Sequence, residues 1–372
     1  MIPGPATSTE RVRCAVVGLG VLGGAALLAL ARAGVDCVGL EAGRVGHPDG
    51  ASGGGETRIF RTAVGDGPEY HRLLDRSREL WTDADAGAFT PCGALTLGPA
   101  GDARLDGAAV PGRTEVLGPD AAAERWPGLR VRPDDRAVFD PRGGLLDAAR
   151  ATRALAGAAR DAGAQVRQGV TVLGVVHRRG RLVLRTGDGE IVADAVVLAT
   201  GHRATLLPDA SGIEQRRVVL SWFAVDEPER FRPTGFPPGV VTGGPVFSFF
   251  PTVDGATVKI NAQRPQPGTA GVDDHHPFVE PGYARPWVPG VARRVRGLRS
   301  RPDRIESYVE GYAPGRRGIV TLTAAAPRVV AVGGFSGQGF KYAPAVGEIV
   351  ADLVRTGRAR TGAFGAAVPV AG

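Results

Sequence analysis

Of the 45 basic residues in this 372-residue chain, 43 are arginine, and the two exceptions are Lys259 in "ATVKINAQ" and Lys341 in "GGFSGQGFKYAPAVGEI". Lysine is a compact point charge on a flexible stem whose pKa shifts on burial, whereas guanidinium is planar, larger and effectively never deprotonated. A chain rich in Ala, Gly, Pro and Arg, with Asn261 as its single asparagine, bears the mark of a GC-rich genome. Under that pressure lysine drifts to arginine wherever a solvated cation suffices. Its retention at two places points to sites that need a point charge. Residues two apart in a strand share a face, so a strand here projects Lys259, Asn261 and Gln263 together.

A second group of residues carries binding chemistry. Gly18-Leu19-Gly20-Val21-Leu22-Gly23 is GxGxxG, preceded by the apolar run Cys14 to Val17, followed by a helical pattern from Ala25 to Arg32, and then by a strand pattern from Val35 to Leu40 that ends in Glu41. Gly18 permits the tight turn, Gly20 lets backbone approach a pyrophosphate, Gly23 lets helix and strand pack closely, and the helix N-terminus faces the phosphate charge. Glu41, about 20 residues downstream, is placed for the ribose of an adenine dinucleotide.

The elements that must position these groups alternate between two kinds. Helical stretches at Tyr70 to Trp81, Leu145 to Ala162 and Ala345 to Arg355, with buried strands at Val196 to Gly201 and "RVVAVGG", continue the dinucleotide-binding pattern. Between them lie short runs bounded by Pro and Gly, namely "CGALTLG", "RAVFDP", "VVLSWFAV", "VFSFFPTV" and "ATVKINAQ", which read as strands of another sheet. The resulting class is mixed α/β: a Rossmann-like domain from residues 1–84, 144–212 and 316–372, interleaved with an antiparallel-sheet domain from 85–143 and 213–315.

Composition narrows the function classes. Hydrophobic residues at 43% and charged residues at 22% suit a soluble globular protein. No apolar run reaches the roughly 18 residues of a membrane span, and "MIPGPATSTERVR" lacks a secretory h-region, so a cytoplasmic protein without a membrane partner is expected. The net charge of +7 is spread among 38 acids rather than gathered into one run, which argues against nucleic acid as a partner. Cys14, Cys37 and Cys92 show no metal or CxxC spacing and read as free thiols, and His275-His276 reads as a solvated loop; no metal site is expected.

Together the GxGxxG unit, "GETRIFRTAVGDGPEY", "ERWPGLRV" with "AVFDPRGGLL", "FFPTVDGATVKIN", "VVLATG" and "GGFSGQGFKYAPAVGEI" resemble the monomeric sarcosine oxidase and N-methyltryptophan oxidase branch of the D-amino-acid-oxidase-like flavoproteins along nearly the whole chain. The resemblance implies FAD, a two-domain fold, and oxidation of a C–N bond in a small amino acid. It implies that Arg61 and Lys341 grip a substrate carboxylate, that Lys259 lies over the flavin near N5 and assists reaction with O2, and that Arg58 lies near the isoalloxazine. It further implies that Ser52, Thr57, Arg58, Val172, Gly201, Gly334, Gly337, Gly339, Phe340 and Lys341 line the flavin site with Gly18, Gly20, Val21, Leu22, Gly23 and Glu41.

The chain departs from that pattern at several places. The family's flavin-linking cysteine is missing from "RIESYVEGYAPGRRGIV", where Tyr308 or Glu306 takes its place, so FAD is expected to be noncovalent. Gly54, Val64 and Ser248 stand where the family has a histidine and two tyrosines, and Gln263 replaces a histidine. The expected activity is oxidation of a primary, N-methylated or cyclic α-amino acid larger than sarcosine. Hydride passes to flavin N5, an imine leaves, and O2 becomes H2O2; hydride transfer from a neutral amine needs no general base. Three rival readings are a dehydrogenase using another acceptor, a flavoprotein that modifies tRNA bases, and a flavin-binding protein with no surviving catalysis. The expected assembly is a monomer or weak homo-oligomer.

Overall fold

The computed structural model describes residues 10–47, 54–84, 87–202, 213–262, 279–280, 282–323 and 326–365. The strand Glu10–Val17 is buried almost without interruption from Cys14 onward because helices cover one face of its sheet and a second apolar layer covers the other. Such continuous burial is the habit of parallel strands. It pairs in parallel with Cys37–Glu41 on one side and Gly189–Leu198 on the other. Gln165–Gln168 extends one flank, and Ala326–Gly333 runs parallel to the end of Gly189–Leu198. Antiparallel Ile319–Thr323 and the hairpin Val172–Arg178/Arg181–Thr186 complete eight strands.

Helices Val21–Arg32 and Gly339–Thr356 cross at close range over this sheet. Gly347 makes the crossing possible, since a Cβ there would lie 2.4 Å from the Ala25 carbonyl oxygen. The helix after the GxGxxG turn and the helix bearing Lys341 are thereby fixed to one another.

The second eight-stranded sheet has the order Arg304–Tyr312, Glu214–Ala224, Thr257–Ala262, Phe247–Phe250, Gly239–Val241, Ala94–Pro99, Asp135–Asp140, Glu115–Leu117. It is antiparallel except where Gly239–Val241 runs parallel to Ala94–Pro99. Period-2 alternation divides its side chains cleanly. Leu95, Leu97, Phe223, Val241, Phe247, Phe249, Val258 and Ile260 enter one core with Trp126, Phe231, Phe236 and Trp287. Each large side chain so buried stabilises the fold by roughly 1.5–3 kcal/mol. The opposite face carries Trp222, Lys259, Asn261, Ser248 and Tyr308, with Tyr308, Lys259 and Trp222 against Gly54 and Gly55. A small sheet of Thr57–Phe60, Gly144–Asp147 and Phe89–Thr90 lies alongside.

Two element boundaries differ from the sequence reading. The helix expected from Leu145 begins at Ala148, because Leu145 and Leu146 belong to the strand Gly144–Asp147 and Asp147 caps the helix through its carboxylate on the Arg150 N–H at 2.8 Å. The last helix begins at Gly339 rather than Ala345 and carries Pro344 inside it. Proline usually marks a start or a break, but tertiary packing overrides that signal here. No helix among the described residues is long and apolar enough to cross a membrane. The three thiols are free; Cys14 and Cys37 sit side by side on neighbouring parallel strands, and burial pushes Cys37 up to about 11.

Candidate active site

The dinucleotide cradle forms where the strand Glu10–Val17 meets the helix Val21–Arg32. Gly18 adopts φ +86°, and a Cβ there would stand 2.6 Å from the Ala199 carbonyl oxygen, so only glycine serves. A Cβ at Gly23 would lie 1.8 Å from the Gly18 oxygen, while the position above Gly20 is open. No side chain caps the helix, leaving its first N–H groups directed at an anion. Glu41 accepts from the Leu19 N–H at 2.7 Å and the Gly43 N–H at 3.0 Å, which holds the strand end against the turn. Val21 and Leu22 open the helix, and Leu22 reaches toward Gly339 of the last helix. Val172 begins the hairpin whose approach is fixed by the Val170 N–H on the Glu41 carbonyl at 2.9 Å. Gly201 follows the strand Gly189–Leu198 in a left-handed conformation. An open glycine turn, an uncapped helix and an acid on the second strand fit an adenine dinucleotide.

The lysine on the second sheet is held against the strand Thr57–Phe60. Lys259 is buried, with Nζ donating to the Thr57 carbonyl at 2.9 Å and standing 4.0 Å from the centre of the Phe250 ring. Burial, reinforced by the Arg58 charge, holds its pKa well below the usual lysine value. Arg58 donates to the Gly55 and Thr57 carbonyls at 3.0 and 2.9 Å and lies 5.5 Å over the Phe340 ring, which stacks on Trp81. Asn261 and Ser248 are direct cross-strand partners one pleat along from the Lys259–Phe250 pair. Ser52 and Gln263 lie outside the described residues.

The second lysine lies in the first turn of the helix Gly339–Thr356, buried, with Nζ donating to Gln338 Oε1 at 2.9 Å. Burial first, then the charge of Arg61, pushes its pKa down to about 7. Arg61 is aimed by the turn that follows it. Asp140 accepts the Thr62 N–H at 2.5 Å and the Ala63 N–H at 3.2 Å, pinning that backbone. Two cations sharing one buried corner repel each other, a cost that an arriving anion removes. The loop before the helix, Gly334 to Gly337, takes positive φ at Gly334, Ser336 and Gly337, and Ser336 N–H ties it to the Gly311 carbonyl at 3.0 Å.

Several neighbours were given no role from the sequence, where Glu306 and Tyr308 are named only as standing in place of the family's cysteine. Glu56 accepts from Trp222 Nε1 at 3.1 Å and pairs with Arg304, so its pKa falls although burial alone would raise it. Glu306, Tyr308, Glu310 and Tyr312 alternate along one face of the last strand of that sheet, with Tyr308 donating to Glu306 and Tyr312 to Glu310 at 3.2 Å. Burial raises the Glu310 carboxyl, against the pull of Arg58. The i, i+2 spacing of these four was the available signal. Gly54 does not open the pocket: its φ is +46°, and the Tyr308 ring fills the space, 2.0 Å from where a Cβ would be.

The FAD dependent oxidoreductase family model matches residues 13–353. Monomeric sarcosine oxidase of Bacillus sp. (strain B-0618) is 28% identical over 378 residues, covering 92% of each protein. N-methyl-L-tryptophan oxidase of Yersinia pestis (strain Pestoides F) is 28% identical over 360 residues, covering 90% of this chain and 93% of that protein. Among solved structures, NikD, an amino acid oxidase essential for nikkomycin biosynthesis, superposes with a TM-score of 0.80 at 21% identity over 95% of this chain and 96% of that one, which shows the shared fold. With the family's span taking in both the glycine cradle and the Lys341 helix, the chain belongs to the DAO family of FAD-dependent oxidoreductases.

Proposed function

We propose that the protein oxidises the C–N bond of a primary, N-methylated or cyclic α-amino acid larger than sarcosine. The observation that carries this reading is Lys341, 5% exposed in the first turn of its helix, with the charge of Arg61 acting on it and Asp66 acting on both cations. Charge-assisted hydrogen bonds from two cations suit a carboxylate. Bound FAD supplies the two-electron acceptor. Arg61 and Lys341 would fix the carboxylate and so orient the C–H bond that gives up hydride; the nitrogen lone pair then closes the C=N bond of an iminium ion, which becomes the imine when its N–H proton passes to water. Lys259 and Arg58 supply positive charge beside the acceptor. The preference for a larger side chain is supported by Val64 and Ser248, not by Gly54.

Oxygen as the terminal acceptor is supported by Lys259, a buried lysine tethered to the Thr57 carbonyl. A peroxide assay during turnover separates this from transfer to another acceptor. An anaerobic screen of amino acids for loss of flavin absorbance tests the substrate class, and best reduction by glycine or sarcosine would overturn the size preference.

Lys341→Ala is expected to weaken carboxylate-bearing substrates and inhibitors roughly 10- to 150-fold, from about 1.5–3 kcal/mol for a hydrogen bond to a charged group. An amine lacking the carboxylate should bind as before, and Lys341→Arg should not restore affinity, since the fork needs other geometry. In the parent, affinity should hold below about pH 7 and decline above it, as Lys341 loses its proton. A carboxylate affinity untouched by the alanine change would remove the anchor. The flavin itself should leave with acid: the strand Arg304–Tyr312 contains no cysteine, so precipitation should give a colourless pellet and intact FAD in the supernatant.

A further inference from the structure

We infer that the Tyr342 hydroxyl is a third donor to the carboxylate, beside Arg61 and Lys341, an inference that rests on the amino-acid reading above. Tyr342 is 2% exposed, and its Oη has no hydrogen-bond partner among the described residues. Its ring is held edge-on by Tyr70 at 6.1 Å and Phe364 at 5.2 Å between centroids, so the phenol has little freedom to seek water. Phenylalanine would make the same ring contacts and leave no buried donor unpaired, and an unpaired buried polar group costs more than its removal. The hydroxyl therefore has a use outside the fold's own packing.

Its surroundings indicate what that use is. Lys341 Nζ stands 4.9 Å from the centre of the Tyr342 ring, and the phenol and Arg61 each bear on the other's proton affinity. Burial first, then Asp66, keeps the phenol protonated far above its ordinary range, so it acts as a donor. Asp66 is exposed. A carboxylate offers about four lone-pair sites. Two can take the arginine fork and one the lysine, which leaves a site for one neutral donor. Tyr342, next to Lys341 and with its hydroxyl unpaired among the described residues, offers such a donor.

The test titrates the FAD-loaded parent, Tyr342→Phe and Lys341→Ala with acetate and, separately, with acetamide, following the flavin absorbance. Thermal unfolding is recorded alongside. Tyr342→Phe should weaken acetate about 2- to 13-fold, the range for a neutral hydrogen bond, leave acetamide unchanged, and unfold at the same or a higher temperature. Unchanged acetate affinity in Tyr342→Phe, with weakened affinity in Lys341→Ala, would overturn the hydroxyl's role and leave the carboxylate reading standing. Unchanged affinity in both variants would overturn the carboxylate reading and this inference with it. Equal losses for acetate and acetamide with a lower unfolding temperature would show a packing role only, which also overturns it.

Discussion

Lys259→Met should slow reaction of the reduced enzyme with O2 by about 10²–10³, while reduction by substrate stays within a few-fold of the parent. Transfer of electrons to oxygen builds negative charge in a partly dry site, and a preorganised charge there contributes about 2.7–4 kcal/mol. Lys259 is suited to this by being 3% exposed and tethered to the Thr57 carbonyl. The substrate corner is built on the other lysine, so the reductive half should not share the loss. Proton affinity at Lys259 is depressed first by burial and then by Arg58. The cationic form is the helpful one, so the parent's oxidative rate should fall as pH rises, with a midpoint well below the ordinary lysine value, and the methionine variant should lose that dependence. Stopped-flow mixing with oxygen measures both, and an oxidative half-reaction that ignores the substitution would refute the assignment.

The largest stability effect should come from the second domain. Arg294 and Asp135 form an ion pair at 2.8 Å with side chains 0% and 1% exposed, and Asp135 also accepts the Arg132 N–H at 2.7 Å. Arg294 Nε and Nη1 find no partner among the described residues, and the contact to Asp135 itself falls short of hydrogen-bond geometry. Breaking a buried pair by removing one member leaves the other charge stranded and costs about 3–5 kcal/mol. Asp135→Ala should therefore destabilise this domain by that amount. Replacing both members, Asp135→Leu with Arg294→Met, should recover most of it, since a buried pair is often no better than apolar side chains of similar volume. Denaturant unfolding followed by the fluorescence of Trp126 and Trp287, both in that core, measures the difference. A double variant no more stable than Asp135→Ala would show that the pair contributes more than charge compensation.

Local chemistry explains which parts of the molecule were legible in the sequence. The glycine turn was, because Gly18 and Gly23 answer to backbone collisions that nothing but glycine avoids. The scarcity of lysine marked Lys259 and Lys341, and both prove buried. The start of the last helix was hidden because Pro344 reads as a boundary, yet the helix runs through it, held by its crossing with Val21–Arg32. Asp140 and Tyr342 were not legible. Asp140 acts through the Thr62 backbone, distant in sequence, and Tyr342 is marked only by its burial without a hydrogen-bond partner among the described residues; no spacing rule reports either. Gly54 misled in the opposite direction: a missing side chain suggested room, but Tyr308 arrives from 254 residues away to occupy it.

The strict alternation along Thr257–Ala262 also limits how the gene can change. Adding or deleting one residue ahead of Lys259 within its strand would turn Lys259 into the phenylalanine-rich core and bring Val258 or Ile260 out toward Thr57, because a one-residue slip exchanges the two faces. Two residues gained or lost together would restore the orientation, at the cost of shifted cross-strand partners. Viable length changes in this strand should therefore come in even numbers, or be accompanied by a bulge that absorbs the odd residue. Related chains would then differ in length mainly in the loops, and the parity of the strand would persist long after its sequence had diverged.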